Sequence, residues 1–112
     1  MGIYCEMLKG NADLKTKLFK IIDMSKTEEK IEYGASNAIQ ILNQAGVPFS
    51  YMDLSGIRIP DANLQKAMLS YTILKKSDLT NVNLASAYLG NCNLSGSDMT
   101  DVQFKELPAL FC

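Results

Sequence analysis

Apolar residues recur along this chain with two different periods. Up to Gly46 the spacing is helical. Leu14, Leu18, Ile21 and Ile22 fall on one face, and Ile31, Ala35, Ala38, Ile39 and Leu42 follow the i, i+4, i+7, i+8, i+11 stripe of a second amphipathic segment. Asn11 suits an N-cap. Ser25-Lys26-Thr27-Glu28 has the capping-box pattern that ends one helix and starts the next, and Gly46 with Pro48 behind it is a stop signal. The pattern predicts helices over about 11–24 and 26–45, with Gly34 a weak point in the second.

From Phe49 onward the period becomes five, which fits neither the 3.6 of a helix nor the 2 of a strand. Counting in fives gives Phe49, Leu54, Ile59, Leu64, Leu69, Leu74, Leu79, Leu84, Leu89, Leu94, Met99 and Phe104, all large and apolar. With apolar residues at 47% of the chain, chance produces such a register at about 10⁻⁴. Two residues before each stands a second class, running Val47, Met52, Ile57, Ala62, Ala67, Thr72 and on to Val102, in which only Met52 and Ile57 are bulky. If both classes point inward, five residues make one side of a square coil and twenty make one turn, so residues 47–106 give three turns. Successive turns then stack at the strand-pairing distance of about 4.8 Å, with no room for a channel.

The units DANLQ, TNVNLAS and NCNLSGSDM make residues 47–106 resemble the pentapeptide-repeat family. The resemblance implies a mainly β chain: a right-handed quadrilateral β-helix of three coils of four pentapeptides, with an N-terminal α-helical cap over 1–46. Residues 107–112 are expected to fold under as a C-terminal cap. A narrower likeness, over SNAIQILNQAGVPFSYMDLSGIRIPDANL and VQFKELP, is to the helical segment that leads into pentapeptide repeats in multidomain proteins carrying a NACHT-type NTPase and WD repeats. Neither resemblance carries a catalytic residue onto this sequence.

Composition narrows the chemistry. The 112 residues contain no histidine, which removes the Ser-His-Asp and Cys-His arrangements and the commonest metal ligand. Eleven basic and twelve acidic residues leave a net charge of −1, unlike the basic stripe that grips nucleic acid. Cys5, Cys92 and Cys112 are far apart and odd in number, as expected of reduced thiols in a cytoplasmic protein. Cys92 falls at an inward position and reads as a buried structural thiol. Gly90 and Gly96 read as corner residues of the coil. No enzyme activity, catalytic residue, cofactor, metal or membrane association is expected.

Residues twenty apart should form outward columns, so each wall can be read off the sequence. The wall of Leu64, Leu84 and Phe104 stacks Asn63, Asn83 and Gln103 as an amide ladder. The wall of Ile59, Leu79 and Met99 is mildly acidic. The wall of Phe49, Leu69 and Leu89 differs, gathering Pro48, Met68 and Tyr88 in one column and Tyr51 and Tyr71 in another, with Ile73 round the corner. These six residues are the candidate partner-binding site. Either the first helix covers them or they are free to meet another protein or a neighbouring domain. The expected function is a non-catalytic interaction scaffold or spacer. A homodimer through the C-terminal end of the coil is a further expected assembly. The alternative function, a DNA-mimicking modulator of a topoisomerase, is weakened by five basic against six acidic side chains over residues 47–106.

Overall fold

The computed structural model describes residues 12–104. The helical pattern of the first third forms α1 over Ala12–Met24 and α2 over Glu32–Gln44, with a 3-10 turn at Glu29–Ile31 between them. Leu18 and Ile22 of α1 share one buried core with Ala35, Ala38, Ile39 and Leu42 of α2. Gly46 ends α2 at φ 84°: its N–H bonds to the Asn43 carbonyl and the Val47 N–H reaches back to Leu42, closing a Schellman motif. The Asn11 N-cap and the cap expected over 107–112 lie outside the described residues.

The second helix begins later than its pattern suggested, and the capping box does not form. The N-cap position is Ile31, with no side-chain cap bond. Ser25 is fully buried, its hydroxyl donating to the Ile22 carbonyl at 2.6 Å and accepting the backbone N–H of Arg58 at 2.9 Å. A hydroxyl that could cap a helix has been taken by a backbone donor thirty-three positions away, because a buried N–H without a partner is the costlier loss.

From Phe49 the chain turns every five residues. The carbonyl of most large inward residues accepts the N–H three positions on, as in Phe49 to Met52, Leu54 to Ile57 and Ile59 to Ala62, while at Leu74 the Ser97 hydroxyl stands between the carbonyl and the Ser77 N–H. The residue two positions after it holds a positive φ, from Tyr51 and Gly56 through to Gly96 and Asp101, the geometry of type II turns. Parallel bridges join residues twenty apart: Asp53 to Ile73 to Asn93, Arg58 to Asp78 to Asp98, Asn63 to Asn83 to Gln103, and Met68 to Tyr88.

The expectation of a mainly β chain forming a right-handed quadrilateral β-helix is corrected by these residues. Their regular elements are two helices and a 3-10 turn, and every bridge is isolated, so there is neither a strand nor a sheet among them. A turn in every five residues leaves one residue per side for pairing, too few to extend into a strand.

Inside the coil, Phe49, Ile59, Leu64, Leu69, Leu74 and Leu79 are buried together with Ile57, Ala62, Ala67 and Val82. Thr72 and Ser77 are also buried, and their hydroxyls donate to the carbonyls of Phe49 and Leu54 in the turn before. Ser97 does the same to Leu74. The second inward class therefore admits Ser and Thr for hydrogen bonding as well as for small volume. Burial fades in the last turn: Leu89, Cys92, Leu94 and Met99 are half-buried, and Phe104, expected inside, is 48% exposed.

Candidate functional site

Four side chains of the helical segment close the first turn of the coil. Besides Ser25 on the Arg58 N–H, Ser36 donates to the Pro60 carbonyl at 2.7 Å and Asn43 to the Gln65 carbonyl at 3.1 Å. Gln40 accepts the Asn63 N–H at 2.6 Å. Ser36, Gln40 and Asn43 stand at i, i+4 and i+7, one polar stripe along α2 beside its apolar one. In later turns the same backbone groups bond to the preceding turn, as when the Asn83 N–H meets the Ala62 carbonyl. The stripe thus supplies the first turn with the partners that a preceding turn would have given it.

The outer walls follow a local rule. Where Asp or Asn precedes the large inward residue, its Oδ1 accepts the N–H two positions on: Asp53 from Ser55, Asn63 from Gln65, Asp78 from Thr80, Asn83 from Ala85, Asn93 from Ser95 and Asp98 from Thr100. This clasp stiffens each corner. It also removes the expected amide ladder, since the oxygens of Asn63 and Asn83 turn onto their own coil. A side-chain ladder forms instead through Asp61, Asn81 and Gln103, at 2.6 and 2.7 Å. The hydroxyl and N–H of Ser55 hold the Asp53 carboxyl below the usual range, and those of Thr100 do the same for Asp98. Burial pushes the Cys92 thiol up.

Met68, Ile73 and Tyr88 occupy clasp positions without a side chain that can clasp. All three are exposed, as are the other candidate residues, Pro48, Tyr51 and Tyr71. Tyr51 and Tyr71 stack with ring centroids 4.9 Å apart and planes 4° from parallel, the spacing of the coils themselves. Met68 and Tyr88 are bridged in the neighbouring column, whereas Pro48 has no described bridge and Ile73 pairs with Asp53 and Asn93 round the corner. The first helix does not cover these six side chains. Its Phe19 reaches the inward ring of Phe49 edge-on, at 6.1 Å between centroids, above the end of the coil.

The repeating unit is now explicit: a large inward residue, a type II turn, and an Asp or Asn clasp, paired with its like twenty residues on. The family described as pentapeptide repeats (8 copies) matches residues 49–85 and 77–107, more than half of the chain. The chain belongs to the pentapeptide-repeat family. No curated protein matches it. Membership supports a repeat module with a structural or protein-interaction role. No helix among the described residues is long and apolar enough to cross a membrane, and no group of three or more potential metal ligands occurs among them.

Sequence reasoning missed the polar stripe of α2. Its signal was present, since Ser36, Gln40 and Asn43 share a helical face, but the spacing does not say which backbone groups lack partners.

Proposed function

We propose that this pentapeptide-repeat chain is a non-catalytic, cytoplasmic interaction module whose rigid wall of Pro48, Tyr51, Met68, Tyr71, Ile73 and Tyr88 docks another protein or a neighbouring domain. The observation that supports it most is the concentration of uncovered apolar side chains where the coil forgoes its stabilising clasp. Tyr71 and Tyr88 are 49% and 63% exposed, so burial on folding does not account for them. Aromatic side chains of this kind carry much of the energy of protein interfaces.

The test is capture by the immobilised chain, comparing wild type with a Tyr71→Asn, Tyr88→Asn double variant. Asn91 already holds the Tyr71 column position at φ 60°, and Asn at 88 restores a clasp, so the variant should keep its fold by circular dichroism. Specific retention of a partner, lost in the variant, supports the reading. Unfolding of the variant identifies the wall as an internal structural element and removes it.

A further inference from the structure

The charges around the wall narrow its partner. Along the middle turn the outward side chains run Lys66, Met68, Ser70, Tyr71, Ile73 and Lys75, an apolar strip closed by a lysine at each end, with Lys76 next to the second. The turn before adds one acid, Asp53, whose Oδ1 is already engaged by the N–H and hydroxyl of Ser55. The ion pairs found among the described residues, Lys17 with Asp13 and Lys26 with Asp23, leave these three lysines out. The carboxylates of Asp61, Asp78, Asp98 and Asp101 belong to the wall of Ile59 and Leu79, where Asp78 and Asp98 share a cleft with Lys76, so Lys66 and Lys75 are the lysines that border the strip.

The relief of the wall favours an extended chain over a flat surface. Ser50, Ser70 and Gly90 form a low column between Met68 and Tyr88 on one side and Tyr51 and Tyr71 on the other. A Cβ on Gly90 would lie 3.9 Å from the Ser70 Oγ, which sets Gly90 next to Ser70 in the column. Beyond Met68 a cleft of about 420 Å³, lined by Gln44, Gln65 and Lys66 among others, gives the lysine end a polar recess. An extended peptide projects side chains alternately to both flanks, which matches a shallow groove with apolar sides and cationic margins.

We infer that the wall takes an extended acidic peptide segment of a partner protein. Its apolar or proline side chains rest on the Tyr51–Tyr71 stack and on Met68 and Tyr88. Its carboxylates meet Lys66 on one margin and Lys75 on the other. This rests on the reading of the wall as a docking surface. Charge at the margins selects among partners that the apolar strip alone would admit alike.

A random peptide library displayed on phage, panned against the immobilised full chain, tests both statements. Selected peptides are then synthesised and titrated by fluorescence anisotropy. The expected selection pairs Asp or Glu with apolar residues, binds about tenfold more weakly or worse after Lys66→Glu with Lys75→Glu, and weakens with added salt. The Tyr71→Asn, Tyr88→Asn variant should abolish it. Peptides without acidic enrichment that need the tyrosines but ignore the lysine reversals overturn the acidic-peptide inference and leave the docking wall standing. Selection of nothing, or of peptides indifferent to the tyrosines, overturns both. So does binding of a single-stranded oligonucleotide in competition with the peptides, or self-association of the chain that disappears in the tyrosine variant.

Discussion

Nine residues other than glycine hold a positive φ among the described residues, all at the corner position of the repeat. L-residues are strained there, so Gly56 and Gly96 are favourable exceptions. Gly90 and Gly96 looked alike as corner residues, but only Gly96, at φ 72°, occupies the left-handed position. A Cβ there would also crowd the Lys76 side chain at 3.4 Å. Gly96→Ala should therefore lower stability by about 1–2 kcal/mol. Gly90→Ala, in ordinary contact only, should leave stability unchanged or raise it by about 0.4–1 kcal/mol. Urea midpoints of the two variants check the contrast. The clasps add a pH signature. Asp53 and Asp98 ionise more readily when folded, so their contribution is present above the unfolded-state value of about 4 and is lost as pH falls through their lower folded values. The urea midpoint should fall as the pH drops below about 4, and less steeply in Asp98→Asn, which keeps the acceptor oxygen but cannot titrate.

Helix α2 does two jobs with adjacent stripes. Ala35, Ala38, Ile39 and Leu42 bury apolar surface, while Ser36, Gln40 and Asn43 bond to the backbone of the first turn of the coil. Ser25 completes the set from beyond the end of α1. Ser25→Ala deletes the acceptor of the part-buried Arg58 N–H and should cost about 1–3 kcal/mol by chemical denaturation, more than a helix cap lost from the surface. If Ser25 were only the cap its sequence suggests, the loss would sit near the lower end and leave the coil untouched. Amide exchange at Arg58 distinguishes the two, because only the bonded arrangement protects it.

The coil as a whole is held by pairings between residues twenty apart, so each turn depends on the one beside it. Leu79 is 1% exposed in the middle of the stack, whereas Phe104, in the same five-residue register, is 48% exposed in the last turn. Leu79→Ala should destabilise by about 2–5 kcal/mol and Phe104→Ala by no more than about 1 kcal/mol, read from paired urea titrations. The same gradient should appear in hydrogen exchange, with the turn around Leu69–Leu84 protected longest. The uncovered apolar wall runs along the side of this stack, where a partner can approach without disturbing the interior.

How much of this was legible follows from the range of each interaction. The beat of five was readable because one large side chain must enter the coil per side. That requirement is local and repeats in fives from Phe49 to Met99, with Phe104 in register but exposed. The columns of Tyr51 with Tyr71 and Met68 with Tyr88 followed from the same count. The class of the fold did not follow, because a bridge of one residue and a strand of several leave the same inward pattern. Nor did the positions of Ser25, Asn63 and Asn83, whose polar atoms each had two local or distant partners available. From residue order alone came the inward leucines, the turn frequency and the outward columns, all set by neighbours within five positions. The closure of the first turn by Ser25, Ser36, Gln40 and Asn43, and the choice of which wall stays uncovered, depended on packing two helices over one end of the coil. That packing joins residues more than twenty positions apart, where competition for unpaired backbone groups, not periodicity, settles each contact.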